Sequence, residues 1–206
     1  MYNCSQENTY KASIRWEGAI GGTSSVTNST VHGSMGWLAS VYKSNNVVLE
    51  DNTMVGSRAI GVHLDNVRNV KMHGNFIGDV MPRGFGAGDG ITDKEACVAV
   101  CSYMTDGSPC FDLDIQNNIA AGCKFAGFIA PGYDCGETES VTFKNNLSHS
   151  NKGVGAAIYP DSNNGNNHAK CYEMSHFAAY KTTLPCVATH YITLEQRAHD
   201  FTCIDQ

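Results

Sequence analysis

The chain has 206 residues, 42% hydrophobic and 17% charged, with 21 Gly against 5 Pro and a formal charge of −6. That length supports a sizeable core. The acidic balance argues against a nucleic-acid footprint, and no run approaches the ~18 apolar residues of a membrane span. Low charge with many Gly, Asn and Ser fits short strands and turns better than a helical bundle.

The opening stretch "MYNCSQENTY" has no basic and no apolar region of a signal peptide. It reads either as a cytosolic start or as an internal piece of a longer secreted chain. "SSVTNSTVHGSMGWLASVYKS" (24–44) is a first, loose copy of a repeat, with its Asn one place out of register. "NVVLEDNTMVGSRAIGVHLDN" (46–66) aligns with "NVKMHGNFIGDV" (69–80): Val47 falls on Val70, Leu49 on Met72 and Asn52 on Asn75. "MPRGFGAGDGITDKE" (81–95) reads as a loop inserted within one turn, and "ACVAVCSY" (96–103) as a strand. "DLDIQNNIAAGCKFAGFIAPG" (112–132) and "SVTFKNNLSHSNKGVGAAIYPD" (140–161) repeat the pattern. Only "ITLEQRAHD" (192–200) has a helical composition.

A period of about 20–30 residues, with short alternating strands and Gly/Asn corners, predicts a parallel β-solenoid. Alternation sends one set of side chains inward, while Gly and Asn tolerate the positive φ of the corners. An antiparallel sandwich also accommodates the strand spacing, but it does not require the same corner residue in each unit. The aligned Asn52, Asn75, Asn118 and Asn146 are expected to stack as an inward asparagine ladder. The expectation is a single all-β domain over 1–206, with about five to six turns, core turns over 24–182 and inserted disulfide-bearing loops.

Nine cysteines without a CxxC pair disfavour a zinc ribbon. Together with N-x-S/T sequons at Asn3, Asn28 and Asn146, they favour an oxidising, secretory compartment and a glycoprotein. Cys97 and Cys101 share a strand face but lie about 13 Å apart along it, too far to bridge. Loop closure suggests Cys101 with Cys110, Cys123 with Cys135, and Cys171 with Cys186. The odd total leaves at least one thiol free or paired outside the chain.

For chemistry, a glycosidase needs two converging carboxyls. Asp65, Asp89, Asp93, Asp112 and Asp114 are the candidates. In "FDLDIQNN" the inward phase belongs to Phe111, Leu113 and Ile115, so Asp112 and Asp114 face solvent; Asp65 reads as a turn cap. The acidic, Gly-rich stretch 84–95 has oxygen ligands for calcium but lacks EF-hand spacing, and no cofactor is expected. His32, His63, His73, His149 and His176 show no metal-ligand spacing. Trp16, Trp37, Tyr42, Tyr103, Tyr133 and Tyr159 are candidates for a sugar-stacking stripe along the solenoid.

The blocks "AIGVHLDNVRNVKMHGNFIGDV", "KEACVAVCSYM", "NNIAAGCKFAGFIAPGYDCG", "FKNNLSHSNKGVGAAIYPD" and "KCYEMSHFAAYKT" resemble the β-helix region of fibrocystin-like proteins, which are large cell-surface proteins. The resemblance covers about residues 24 to 182. It implies a right-handed parallel β-helix and an extracellular, multi-domain parent of which this chain is a fragment. Related proteins include hyaluronan-degrading enzymes, but no catalytic motif matches residue by residue. The functional expectation is a structural or adhesive extracellular module of a surface protein or filament. The alternatives are a polysaccharide hydrolase or lyase, or a non-catalytic glycan-binding module, using the lateral groove. Expected partners are other domains of the parent or neighbouring copies, with glycans as further candidates; nucleic acid and direct membrane insertion are not expected.

Overall fold

The computed structural model describes residues 12–82, 95–100, 110–130, 133–134, 142–158, 171–189 and 195–204. Each short alternating burst forms one strand, and each Gly/Asn interruption turns the chain. The first coil comprises β1 (Ala12–Glu17), β2 (Ser24–Thr27) and β3 (Thr30–His32). The second comprises β4 (Trp37–Tyr42), β5 (Asn45–Glu50) and β6 (Thr53–Arg58), and the third β7 (Ile60–Asp65), β8 (Arg68–His73) and β9 (Phe76–Met81). The fourth has β10 (Ala96–Val100), β11 (Phe111–Gln116) and β12 (Ile119–Cys123). The fifth has β13 (Ala126–Ala130), the short β14 (Tyr133–Asp134), β15 (Thr142–Lys144) and β16 (Asn146–His149). Then follow β17 (Val154–Ile158), the long β18 (Cys171–Tyr180), β19 (Val187–Thr189) and β20 (Glu195–Ile204).

These strands stack into three sheets. The first runs β1-β4-β7-β10-β13-β17-β19, the second β15-β11-β8-β5-β2, and the third β14-β18-β16-β12-β9-β6-β3, with β20 added to β18. Every pairing among the described strands is parallel except β14 with β18. Val47 pairs Val70 and Leu49 pairs Met72; the same columns continue to Leu113 and Ile115. Positions 23 apart in sequence are therefore neighbours in space, as a solenoid requires. Paired strands extend from Ala12 to Ile204, further than the 24–182 core expected from the repeat.

Inward columns fill the interior with Val, Leu, Ile, Met and Ala. In the later coils aromatics take over. Phe128 meets Phe143 and Phe177 edge-on at 5.4 and 6.1 Å, and Phe177 meets Phe201 at 6.1 Å, in the edge-to-face geometry that aromatic rings prefer.

The corner between the second and third sheets is a column of left-handed residues: Asn28, Asp51, Gly74, Asn117, Asn145, His176 and Asp200, with φ between 49° and 63°. Asn and Asp occupy such a conformation at low cost. The out-of-register Asn28 is thereby explained: it takes the left-handed corner itself, and Ser29 stands in the column that holds asparagine in later coils.

Residues 195–204, which overlap the stretch of helical composition, form a strand aligned residue for residue with 171–180 of β18. One local expectation changes. Phe111 points outward, not inward, and is 38% exposed. Asp112 has φ 53°, and that left-handed residue breaks the alternation between Phe111 and Leu113.

Candidate functional site

The asparagine ladder lies at the corner between the second and third sheets. Asn52 donates from Nδ2 to Asn75 Oδ1 at 2.9 Å, Asn75 to Asn118 Oδ1 at 3.0 Å, and Asn118 to Asn146 Oδ1 at 3.0 Å. Each acceptor oxygen also takes the backbone N–H of the preceding rung, at 3.0–3.1 Å. The second amide proton of each rung goes to a strand carbonyl: Val26, Leu49, Met72 and Ile115 in turn. Every rung is at most 1% exposed, so polar groups that would be costly to bury are satisfied. The amide of Asn146, one of the sequon residues, is thus buried and spent inside the stack. Asn28 is exposed, and Asn3 lies outside the described residues.

The disulfides cross the interior between the first and third sheets. Cys97 bonds Cys123, and Cys186 bonds Cys203, with Cα separations of 5.6 and 5.9 Å. Pairing of Cys123 with Cys135 and of Cys171 with Cys186 is thus corrected, since Cys123 and Cys186 have other partners. Cys203, absent from the expected pairings, was the missing partner. Cys110 is also disulfide-bonded; Cys4, Cys101 and Cys135, like the side chain of Cys171, lie outside what is described. Loop closure failed as a guide because the bonds follow a column. Gly61, Cys97, Gly127, Gly155 and Cys186 stack in register where the two sheets converge. A Cβ at Gly61 would stand 2.5 Å from Ile77 Cγ2, and one at Gly155 2.7 Å from Ala179 Cβ. Only glycine, or a cysteine bonded across the gap, occupies the described positions of that column from β7 onward.

The outer face of the first sheet carries a polar cluster, buried at Ser40, His63 and Asp65 and open at Arg15 and Glu17. Arg15, Ser40 and His63 stack on successive strands, as do Glu17, Tyr42 and Asp65. Ser40 Oγ stands 3.5 Å from His63 Nδ1, and the His63 ring lies 4.5 Å from that of Trp37. Burial, reinforced by the Arg15 charge, pushes His63 down to about 4, so its imidazole is neutral near pH 7. A neutral His beside a Ser has the composition of a base–nucleophile pair. However, Ser40 is 1% exposed and the contact is long for a hydrogen bond. Ser40 was not singled out from the sequence; its separation from His63 by the repeat offset of 23 was the available signal.

The second sheet presents a charged stripe. Lys71 pairs with Glu50 at 2.9 Å and His73 with Asp114 at 2.8 Å, while Gln116 also donates to Asp114. Arg68 lies 3.8 Å from Asp112 and stacks over Phe111. Asp112 and Asp114 therefore sit on a different sheet from Asp65, and these three carboxylates do not converge. Asp89, Asp93 and nearly all of 84–95 lie outside the described residues; Glu95 is buried, with Lys124 at 3.4 Å.

The aromatics form no continuous stripe where they are described. Trp16 packs against the interior, Trp37 is buried on the outer face with Ile60 and Ala99, and Tyr42 carries the Lys43 ammonium 5.1 Å from its ring. Tyr103, Tyr159 and the side chain of Tyr133 are not described. On the third sheet His149 stacks on Tyr180 at 4.8 Å; partial burial, then the Lys181 charge, lowers its pKa. His199 and His176 flank the Asp200 carboxylate at 2.8 and 3.5 Å, and the His199 hydrogen bond holds that carboxyl below its usual range. His32 is exposed on β3. Among the described residues no group of three or more His, Cys, Asp and Glu side chains is placed to hold a metal ion.

A family model described as a right handed beta helix region matches residues 17–175. Comparison with curated proteins and with solved structures returned no match. With three parallel sheets wound in successive coils and most of the chain matched, this protein belongs to the right-handed β-helix family.

Proposed function

We propose that this chain is a structural, adhesive β-helix module working outside the cell, as part of a surface protein or filament. The observation that carries this reading is the pair of disulfides that each close one circuit of the solenoid, Cys97–Cys123 and Cys186–Cys203. Such bonds persist in oxidising compartments, and they restrain coils against being peeled from the stack. The resemblance to fibrocystin-like repeats supports the surface placement and a larger parent. The described polar residues fit a scaffold better than a reaction centre. The ladder amides are spent on one another, the charged stripe is internally paired, and Ser40 beside His63 is buried.

Incubation of the purified chain with hyaluronan and pectin tests this reading. Polymer length is expected to stay unchanged. Shortening that disappears in Asp65→Asn or His63→Ala chains, with the fold retained, would replace the structural role by a polysaccharide-active one.

A further inference from the structure

We infer that the bend joining β6 to β7 is a yield point inside the rod: under load or warming the stack opens there first, while the coils from β10 onward stay wound. This rests on the structural-module reading and adds how such a module gives way. The bend lies within the stack, since β6 has β3 and β9 as neighbours and β7 has β4 and β10. It is also tight. Only Ala59 separates Arg58, the end of β6, from Ile60, the start of β7. Four residues make the corresponding link from β3 to β4 and again from β16 to β17, and two make it from β12 to β13. To turn within one residue the chain holds Ala59 at φ 72°, with its side chain buried. Left-handed backbone crowds any Cβ. Asn and Asp, which hold most of the other left-handed positions that are not glycine, can bond their own backbone there, and alanine cannot.

The same short link strands a hydroxyl. Ser57 stands in the inward column that continues to Val80 and Cys123. It is 2% exposed, and its Oγ has no hydrogen-bond partner. At comparable bends a hydroxyl is used: Ser34 donates to the Trp37 carbonyl at 2.7 Å and Thr182 to that of Leu184 at 2.8 Å. The Ala59 carbonyl, which this bend offers instead, takes the N–H of Ala96 at 3.0 Å. A buried unpaired hydroxyl weakens the folded state locally. Covalent support is missing on this side as well. No cysteine occurs between Cys4 and Cys97, whereas Cys97–Cys123 and Cys186–Cys203 close later coils. Cys97 and Cys123 continue the columns of Gly61 and Val80, so the third coil has the same two positions and leaves them unlinked. Stability in a stack of coils is close to a sum of local terms, and opening starts where these are weakest. A left-handed alanine, an unpaired hydroxyl and the lack of a covalent ring coincide at one bend. Load on the rod releases chain from β6 and β7, and the closed coil at Cys97–Cys123 is where that release halts.

Hydrogen exchange read by mass spectrometry tests the inference, on the 206-residue chain with its disulfides intact, in urea below the unfolding transition. The readout is confined to strands with a neighbour on both sides, β6 and β7 against β13 and β16. Amides of β6 and β7 should exchange at least about tenfold faster than those of β13 and β16. Ser57→Ala removes the unpaired hydroxyl and should slow exchange at β6 and β7 about threefold or more. Ala59→Val puts a β-branched residue at the left-handed position and should speed exchange there by about tenfold, with β13 and β16 unchanged. Equal exchange in the two pairs of strands, or earlier opening of β13 and β16, overturns the inference. So does a Ser57→Ala chain that exchanges as fast as the parent at β6 and β7. An Ala59→Val chain that exchanges like the parent, or that loses protection in all four strands together, overturns it too. Each of these results leaves the module reading standing, because polymer length tests that reading and the place where the coils part does not.

Discussion

Cys97 and Cys123 stand at the two ends of a single coil, 26 residues apart along the chain and 5.6 Å apart between Cα atoms. The first begins the circuit on β10 and the second completes it on β12, so their bond turns one coil into a covalent ring. Closing a loop of this length removes about 3.5 kcal/mol of chain entropy from the unfolded state. The Cys97→Ala, Cys123→Ala double variant should lose roughly that much stability in urea unfolding. A loss below about 1 kcal/mol would mean that the ring does not constrain the unfolded chain as the entropy model holds.

Asn118 occupies the middle of the ladder. Replacing it with Ala leaves the Asn75 N–H without its acceptor and the Met72 carbonyl without its donor. Two buried polar groups left unpaired, plus a small cavity, should cost about 3–4 kcal/mol. Its neighbour Asn117 holds φ 57° at the corner, a conformation glycine adopts freely, so Asn117→Gly should change stability by no more than about 1 kcal/mol. Chemical denaturation of the two variants side by side checks the contrast. Equal losses would show that the ladder's side-chain bonds carry no special weight.

His63 makes stability depend on pH. Its folded value, about 4, lies below the ordinary 6.5, so the unfolded chain binds the proton first. The contribution is fully present above pH 6.5, falls as pH drops through the window to 4, and is gone below it. The span amounts to about 3 kcal/mol. Against His63→Phe, the parent chain should lose about that much more stability between pH 7 and pH 4. Parallel curves would show that His63 is not buried in its neutral form.

Glycan occupancy distinguishes two sequons that look alike in sequence. Asn28 is exposed at a corner, whereas Asn146 is a buried rung whose Nδ2 donates to the Ile115 carbonyl. Folded chain secreted from glycosylating cells should carry no glycan on Asn146, and Asn28 should be the modified site of the two. Peptide mapping after enzymatic deglycosylation reads this out; a glycan on Asn146 in folded chain would contradict the ladder.

The solenoid was legible because each coil buries the same positions, so Val47 and Val70, or Asn52 and Asn75, reveal the offset by composition alone. Asn28 escaped that reading because the corner accepts asparagine in its left-handed position as readily as in the ladder beside it. Phe111 was misplaced because strict alternation was carried across Asp112, where the backbone turns left-handed. Within the stretch of helical composition, residues 195–200 pair with β18 instead, since propensity is weak against a waiting strand edge. The disulfides were hidden for a different reason. Their partners are set by where the first and third sheets converge, along the column shared by Gly61, Gly127 and Gly155, and that convergence is a property of the stacked coils rather than of any one segment.

The most direct measurement is peptide mapping of the native chain, digested with and without reduction. The account predicts linked peptides joining Cys97 to Cys123 and Cys186 to Cys203, each released by reductant. Free thiols at these positions, or bonds from Cys123 to Cys135 and from Cys171 to Cys186, would contradict the closed coils and with them the proposed work outside the cell.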